Sequence, residues 1–305
     1  MATPRPDRGR GVAANEGAMA PNVFVDEQLG ALRGSRFRDG SIRRFAAALW
    51  DRAQQNGVRR PELVRELRVI RRVGVLVSLL VGYGLYLEGV PALAATLWPS
   101  LTWLVLCAWV AVELGLVRHP TSGVDAPHIG PANVMTLYRG WVAVPVLLIA
   151  VARPGPTVLW VVLCLTAGIT DLIDGTVAIR LGHESRLGRL IDPVLDACFF
   201  SAAAFSLARW GLLPPWLAAL VTLRYFAPVV GGLVLLFVLG RTMPVRHTPW
   251  GQRATMATAA ALLGSWAGTM VHLPPWLLPA IYLVAVTCMG LALLGILRRA
   301  PTAAA

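Results

Sequence analysis

A series of long apolar stretches, beginning at residue 73, is the feature that most constrains how this chain folds. A helix needs about 20 apolar residues to cross a bilayer, and stretches of roughly this length recur along the rest of the chain. They lie near 73–90, 94–117, 134–152, 157–178, 190–209, 215–240, 254–271 and 275–297. The sequence therefore predicts an all-α, polytopic membrane helix bundle with eight spans.

The low content of charged residues supports this interpretation. Only 14% of the 305 residues are charged and 56% are apolar, whereas a soluble domain carries about 25% charged residues. These values exclude an ordinary cytosolic enzyme, a disordered chain and a disulfide-stapled secreted module. The four cysteines lie in apolar stretches without the spacing of a metal or redox site, so we interpret them as buried thiols.

The first 72 residues differ from the rest in charge, with 15 Arg against 8 acidic residues. Residues 1–22 are rich in Pro, Gly and Ala, and we expect them to be disordered. Apolar residues at helical spacing predict short basic amphipathic helices at 41–53 and 61–72. Such helices either lie on an anionic membrane surface or present a solvated face beside the membrane.

The distribution of Arg predicts the topology. After residue 117, ten Arg lie in predicted loops on the side of the N-terminus and two on the opposite side, so both termini should be cytoplasmic. Every basic residue is Arg, and membrane topology explains this charge without a nucleic-acid partner. We divide the chain into a basic cytoplasmic segment (1–72), two additional transmembrane helices with a linker (73–129) and a six-helix domain (130–305).

Acidic residues are rare in the six-helix domain, where all five fall within 26 residues. Carboxylates at membrane depth are costly and usually mark function. Asp171 and Asp174 are spaced i, i+3 at the end of one span, and Asp192 and Asp196 are spaced i, i+4 at the start of the next. Each pair therefore shares a helix face. Because a short turn joins the two spans, we expect antiparallel neighbouring helices with the four carboxylates at one level.

Four converging carboxylates require positive counter-ions. Mg²⁺ or Mn²⁺ prefers oxygen ligands, and a bridged pair of such ions would suit phosphoryl chemistry. Gly175, Ala178 and Gly188 form a small-residue surface beside the cluster that a ligand could approach. The alternative is helix packing by these small residues, with ion pairs from the carboxylates to Arg180, Arg186 and Arg189.

The stretch DLIDGTVAIRLGHESRLGRLIDPVLD resembles the motif D-x2-D-G-x2-A-R-x8-G-x3-D-x3-D of the CDP-alcohol phosphotransferases. The matching residues are Asp171, Asp174, Gly175, Ala178, Gly188, Asp192 and Asp196. PANVMTLYR (131–139) is similar to the N-x-x-T-x-x-R start of the preceding helix in this family. WGQRATM (250–256) is similar to an element of the phosphatidylglycerophosphate synthase branch. The resemblance covers 130–298 and does not extend to 1–129.

The resemblance implies a six-helix catalytic core and a transferase of phospholipid synthesis. A CDP-alcohol such as CDP-diacylglycerol would bind through its diphosphate to two Mg²⁺ or Mn²⁺ ions, an acceptor hydroxyl would attack, and CMP would leave. It implies metal binding by Asp171, Asp174, Asp192 and Asp196, with Asp196 chiefly the general base. It implies contacts to the CDP moiety from a further set of residues, which are Asn133, Thr136, Gly175, Ala178, Arg180 and Gly188.

One family position differs in this chain. The motif has Arg at position 179, where this chain has Ile179, followed by Arg180. A shift of one residue rotates a helical side chain by about 100°. We expect Arg180 to take over the diphosphate contact if the helix ends or unwinds there, and otherwise the enzyme is impaired or uses an unusual substrate.

Three Arg residues predict that the acceptor carries a phosphate. Arg224 lies about ten residues into its span, and an Arg at that depth rarely faces lipid. Arg139 and Arg186 lie at the predicted cytoplasmic ends of their spans. Because guanidinium groups match phosphate oxygens, we expect an acceptor that carries a phosphate. The resemblance to the phosphatidylglycerophosphate synthase branch implies glycerol 3-phosphate as this acceptor, or secondly an inositol phosphate.

Two other classes of function remain open at this stage. A non-catalytic relative, acting as a membrane binding or assembly subunit, would account for Ile179. A cation transporter would use the acidic cluster, although transport does not require the small residues at their spacing. For the enzyme we expect the bacterial plasma membrane as the location, a cytoplasmic active site, contacts with membrane lipids and a homodimer, which this family often forms.

Overall fold

The computed structural model describes residues 23–35, 37, 39–118, 126–181, 185–235, 237 and 249–297. Within these ranges, residues 23–26, 39, 171–172, 174–181 and 296–297 are described by their backbone alone. The predicted disorder of residues 1–22 therefore lies outside the described part of the chain.

The described residues form ten α-helices, one short 3-10 helix and no strand, which confirms the predicted all-α class. The 3-10 helix, Leu114–Leu116, follows the fourth α-helix. The α-helices are α1 (Val23–Gly34), α2 (Asp39–Arg59), α3 (Pro61–Leu87), α4 (Ala92–Val112), α5 (Pro131–Ala152), α6 (Val158–Leu181), α7 (Arg186–Arg209), α8 (Pro215–Val234), α9 (Pro249–Ala267) and α10 (Leu277–Leu297).

Each of the eight predicted spans coincides with one helix from α3 to α10. Six of these helices are long and apolar enough to cross a membrane, namely α3, α4, α5, α7, α8 and the Leu277–Gly295 part of α10. Among the described residues, the apolar part of α6 is shorter than such a helix, Val158–Thr170, and α9 is not among the candidate spans, so the structure supports six of the eight predicted spans. The chain is accordingly a polytopic membrane protein.

The third helix differs from the prediction, because the amphipathic segment at 61–72 and the span that follows form one continuous helix, α3. The predicted boundary between residues 72 and 73 lies inside it. Gly74 and Gly82 lie within this helix and allow α4 to approach it closely. The Trp103 ring occupies the space beside Gly74, and the Ala95 carbonyl oxygen lies 2.7 Å from where a β-carbon at Gly82 would be.

The helices pack in a connected series around α5. Helix α3 packs against α4, α4 against α5, and α5 against both α6 and α7. Helix α7 continues the series to α8, and α9 packs against α10. Buried Trp141 ties α5 to α4, since its Nε1 donates a hydrogen bond to the Pro99 carbonyl over 2.9 Å. Helix α5 is thus the element through which the amino-terminal helices meet the acidic helix α7.

Helix α2 runs across the end of the bundle at which α4 and α8 finish. Its Phe45 ring meets the Phe237 ring, just beyond α8, edge to face at 6.4 Å. Near its other end, Asn56 lies against Gly115 in the 3-10 helix, leaving no room for a β-carbon there. The amino-terminal helices are therefore packed onto the bundle.

Candidate active site

The acidic residues of α7 lie in its first three turns. Ser185 caps the helix, because its Oγ accepts a hydrogen bond from the Gly188 backbone N–H over 3.0 Å. Asp192 and Asp196 follow on consecutive turns, so their side chains project from one face. Asp196 is 23% exposed, which leaves this carboxylate accessible to a ligand.

Arg139 of α5 forms an ion pair with Asp196. Its Nη1 donates a hydrogen bond to Oδ1 of the carboxylate, and the Arg139 side chain is only 2% exposed. The two helices come close here because Gly140 has no side chain: a β-carbon there would lie 2.5 Å from Leu195 Cδ2. A partly buried carboxylate and a buried guanidinium thus balance each other's charge.

A second contact joins the starts of α5 and α7. Asn133 Nδ2 donates a hydrogen bond to the Ile129 carbonyl, and Asn133 Oδ1 accepts one from Ser185 Oγ over 3.1 Å. A β-carbon at Gly188 would lie 2.7 Å from Asn133 Oδ1. The small residue at 188 is therefore required for helix packing. Thr136, which was also predicted to contact the CDP moiety, is buried, and its hydroxyl donates a hydrogen bond to the Ala132 carbonyl within α5.

Arg224 is buried in α8 and reaches the start of α9. Its Nη2 donates hydrogen bonds to the Gly251 carbonyl over 2.9 Å and to Thr255 Oγ1 over 3.0 Å. Its guanidinium carbon lies 4.3 Å from the centre of the Tyr225 ring, which stacks on Phe200 of α7. Nε of Arg224 is buried and has no hydrogen-bond partner among the described residues.

The acidic half of α6 is described by its backbone alone. Asp171, Asp174, Gly175, Ala178 and Arg180 lie in this helix, and their side chains are outside the described part of the chain. Where side chains are described, no group of three or more His, Cys, Asp or Glu residues is close enough to hold a metal ion. The predicted convergence of the four carboxylates therefore stays a prediction.

Arg186 opens α7. Its backbone N–H donates a hydrogen bond to the Arg118 carbonyl over 3.0 Å, so the start of α7 is tied to the segment that follows α4. Its side-chain Nε is buried and has no hydrogen-bond partner among the described residues. Of the three Arg residues predicted to bind the acceptor, Arg139 forms an ion pair with Asp196 and Arg224 donates hydrogen bonds to the start of α9.

Two residues that the sequence analysis missed connect α3 to this site. Arg60 is buried and donates hydrogen bonds to three backbone carbonyls between residues 114 and 126. Glu66 accepts hydrogen bonds from the backbone N–H groups of Ile129 and Gly130. Both contacts span more than 50 residues, so no local pattern reveals them. The one sequence signal was a carboxylate within the amphipathic pattern at 61–72, which we expected either to lie on a membrane surface or to present a solvated face.

The family profile described as CDP-alcohol phosphatidyltransferase matches residues 130–295, more than half of the chain. No solved structure matches. Among curated proteins, the "Probable phosphatidylglycerophosphate synthase" of Mycobacterium tuberculosis is 31% identical over 139 residues, covering 44% of this chain and 63% of the relative.

Two further relatives have related names. The "CDP-diacylglycerol--glycerol-3-phosphate 3-phosphatidyltransferase" of Bacillus subtilis is 30% identical over 118 residues, covering 37% of this chain and 59% of the relative. The "Cardiolipin synthase (CMP-forming)" of Streptomyces coelicolor is 33% identical over 97 residues, covering 30% and 45%. The chain thus spans less than two thirds of the length of each of these three relatives.

Proposed function

The chain belongs to the CDP-alcohol phosphatidyltransferase family, and from this premise we propose that it transfers a phosphatidyl group from CDP-diacylglycerol to an acceptor hydroxyl. Family membership confirms the resemblance that the motif at 171–196 predicted. The observation that carries the proposal is the complete set of motif carboxylates, of which Asp192 and Asp196 lie one turn apart on α7. The names of the relatives, all of them transferases or synthases of anionic phospholipids, support the same reaction class.

The helix bounds support a common level for the four carboxylates. Asp174 lies seven residues before Leu181, the end of α6, and Asp192 lies six residues after Arg186, the start of α7. At a rise of 1.5 Å per residue these distances are about 10 Å and 9 Å. Asp171 and Asp196 each lie ten residues from the same helix ends, about 15 Å. Antiparallel packing of α6 and α7 would bring the pairs opposite each other.

The donor set fits the divalent metal ions that this family uses. Carboxylate oxygens are the ligands that Mg²⁺ prefers, and we assign Asp171, Asp174, Asp192 and Asp196 as ligands of two Mg²⁺ or Mn²⁺ ions. The ions would stabilise the negative charge that develops on the diphosphate as CMP leaves. Lys is absent from the chain, so no ammonium group competes for these carboxylates.

The transfer requires one proton acceptor, which we assign to Asp196. The acceptor oxygen attacks the phosphorus that carries the diacylglycerol, its O–H proton passes to the Asp196 carboxylate, and the bond from that phosphorus to the oxygen of CMP breaks. Arg139 orients the carboxylate through its hydrogen bond to Oδ1. A general base must lie within hydrogen-bond reach of that proton, and Asp196 retains enough exposure for this role.

The nucleotide would lie along α6 and the small residues between α5 and α7. Gly175, Ala178 and Arg180 would contact the CDP moiety from α6, in line with their places in the family motif. The helix-packing contacts of α5 and α7 support this surface. Asn133 lies against Gly188 and accepts a hydrogen bond from Ser185, and Thr136 donates a hydrogen bond within its own helix. Their contribution to CDP binding is therefore mainly to keep α5 and α7 at the spacing that the nucleotide needs.

We propose glycerol 3-phosphate as the acceptor, with an inositol phosphate as the second choice. The printed name of the Bacillus subtilis relative gives glycerol 3-phosphate as its acceptor. Arg224, held by α9 and stacked on Tyr225, keeps Nε for a phosphate oxygen. Arg186 at the start of α7 provides a second positive group on the cytoplasmic side. Because Arg139 already pairs with Asp196, its contribution to acceptor binding is the smallest of the three.

A second candidate is a catalytically weakened member of the family that serves as a membrane binding or assembly subunit. Ile179 in place of the motif Arg is the observation that favours it. Metal-dependent release of CMP from CDP-diacylglycerol separates the two candidates, because only an active transferase releases CMP at a rate that depends on acceptor concentration.

We further propose the bacterial plasma membrane as the location, with both termini and the active site on the cytoplasmic side, and a homodimer as the assembly. All three of the curated relatives described above are bacterial, and the excess of Arg on the predicted inner side supports the orientation.

The decisive experiment is an acceptor screen with labelled CDP-diacylglycerol in detergent micelles containing Mg²⁺ or Mn²⁺. We expect phosphatidyl transfer to glycerol 3-phosphate, with stoichiometric CMP release and loss of both products in an Asp192→Asn variant. Folded protein that releases no CMP with any phosphorylated or neutral alcohol would contradict the proposal.

A further inference from the structure

Glu66 of α3 provides the cap that α5 cannot provide for itself. The residue at the N-cap position of α5 is Gly130, which has no side chain and adopts φ +83°, and the first helical residue is Pro131, which has no N–H. The Glu66 carboxylate accepts hydrogen bonds from the backbone N–H groups of Ile129 over 2.9 Å and of Gly130 over 3.3 Å. A carboxylate at a helix N-terminus is stabilised by the helix dipole, so this contact fixes where α5 begins.

Arg60, directly before α3, holds the preceding part of the chain. Its Nη1 donates hydrogen bonds to the carbonyls of Leu114 and Val117 over 3.2 and 3.0 Å, and its Nη2 to that of Ala126 over 2.5 Å. The side chain is 8% exposed, and a buried guanidinium is costly unless its donors are satisfied. Arg60 and Glu66 thus fasten the segment between α4 and α5 through its carbonyls on one side and its N–H groups on the other.

A series of hydrogen bonds connects Glu66 to the start of α7. Ile129, held by Glu66 through its N–H, accepts a hydrogen bond on its carbonyl from Asn133. Asn133 Oδ1 in turn accepts a hydrogen bond from Ser185 Oγ, which itself accepts a hydrogen bond from the backbone N–H of Gly188. Gly188 lies four residues before Asp192, so an unbroken series of contacts runs from α3 to the first acidic turn of α7.

The position of the start of α5 also determines where Arg139, the partner of the proposed general base Asp196, is placed. Arg139 lies nine residues after Gly130, which is about 14 Å along one rigid helix. Leu195 packs into the space left by Gly140, so α5 and α7 meet without a gap at this level. A displacement of the α5 start therefore moves the Arg139 guanidinium relative to Asp196.

We propose that Glu66 is a positioning residue for the transfer reaction: through the Ile129–Asn133–Ser185–Gly188 contacts it sets the register of α5 against α7 and hence the geometry of Arg139 and Asp196. This inference rests on the function proposed above. Glu66 lies outside residues 130–295, the part that matches the family. The amino-terminal helices of this chain are thereby part of its catalytic unit.

The kinetic test compares Glu66→Ala with a matched control, Glu62→Ala, in the full-length protein in lipid nanodiscs. Glu62 is exposed and lies one turn earlier on the same helix. We expect Glu66→Ala to lower kcat about tenfold while KM for CDP-diacylglycerol changes less than about twofold, since small misplacements of reacting groups reduce rates steeply. Glu66→Gln keeps one acceptor oxygen and should recover part of the loss, and it replaces Glu66→Ala if that variant does not fold. The control should match the wild type.

A second readout does not depend on activity. Hydrogen exchange followed by mass spectrometry should show faster amide exchange in Glu66→Ala both at 127–139 and at 185–192, and no change in Glu62→Ala. Faster exchange confined to 127–131, or a lower kcat without any change at 185–192, overturns the proposal because Glu66 would then act only as a local cap. If the wild type transfers to no acceptor, the proposed function fails, yet exchange at 185–192 still decides whether Glu66 positions α7.

Discussion

Arg139 of α5 donates a hydrogen bond to Asp196 of α7, so the carboxylate assigned as the general base is oriented by a guanidinium that is almost wholly buried. Without a substrate, this pair neutralises a charge that would otherwise lie partly buried in an apolar helix bundle. It also places the proposed proton acceptor under the control of the packing between α5 and α7.

The first prediction concerns the stability of this pair. Replacing Arg139 with Met should lower the free energy of unfolding by about 1–3 kcal/mol, because Asp196 is left partly buried without its partner. Thermal unfolding in detergent measures the change. The double variant Arg139→Met, Asp196→Asn should recover most of the loss, since no uncompensated charge remains. Arg209→Ala, at the exposed far end of α7, is the control. Equal destabilisation of the single and double variants would contradict the charge argument.

The second prediction separates metal binding from proton transfer. Asp171→Asn and Asp192→Asn should abolish turnover and also Mn²⁺-dependent binding of CDP, because a neutral amide cannot balance divalent ions. Asp196→Asn should abolish turnover and retain CDP binding if its main role is that of the base. Binding is measured by calorimetry with and without Mn²⁺. Equal loss of binding in all three variants would assign Asp196 to the metal site alone.

The third prediction addresses Ile179. If Arg180 contacts the diphosphate, Arg180→Ala should cost about 2–3 kcal/mol of transition-state stabilisation, and Ile179→Arg should change kcat/KM little. Steady-state kinetics with CDP-diacylglycerol measures both. A rise of about tenfold in Ile179→Arg, equivalent to about 1.4 kcal/mol of barrier, would show instead that the natural chain is a weakened enzyme.

The fourth prediction concerns the acceptor. Arg224→Ala should raise KM for glycerol 3-phosphate by about one to two orders of magnitude, the loss of a charge-assisted pair worth about 1.5–3 kcal/mol. KM for CDP-diacylglycerol should move far less. Thr255→Val removes one of the contacts that hold Arg224 and keeps its charge, so its effect should be smaller. An unchanged acceptor KM in Arg224→Ala, or transfer only to unphosphorylated alcohols, would refute this assignment.

The fifth prediction uses two glycines. A β-carbon at Gly188 would lie 2.7 Å from Asn133 Oδ1. Gly188→Ala must therefore displace the Asn133 side chain, whose hydrogen bonds join the starts of α5 and α7, and should cost about 1–3 kcal/mol of stability. Gly290, inside α10, has nothing within 4 Å of the same position. Gly290→Ala should therefore stabilise the protein by up to about 1 kcal/mol, since Ala favours a helix. Chemical denaturation of both variants decides the comparison, and a neutral Gly188→Ala would disprove the close approach.

The sequence by itself determined the features that depend on neighbouring residues. Apolar stretches of span length predicted the helices from α3 to α10, and the spacing of Asp192 and Asp196 placed both on one face of α7, because helix formation and facing follow from residues within four positions of one another. The same reasoning failed at residues 61–87, which were divided at residue 72 where the charge changes but which form one continuous helix. Gly74 and Gly82 lie within this helix at places where α4 packs against it.

Only the tertiary structure decided which distant groups meet. Arg139 and Asp196 are 57 residues apart, and Glu66 lies 63 residues before Ile129. Nothing in the local pattern distinguishes Arg139, paired with a carboxylate, from Arg224, held by the start of α9. The partner of Arg139 depends on how closely α5 approaches α7, and the partners of Arg224 depend on where α9 begins relative to α8. That approach is set by the shapes of facing side chains, since charged and polar groups inside an apolar bundle must find the partners that packing brings within hydrogen-bond distance.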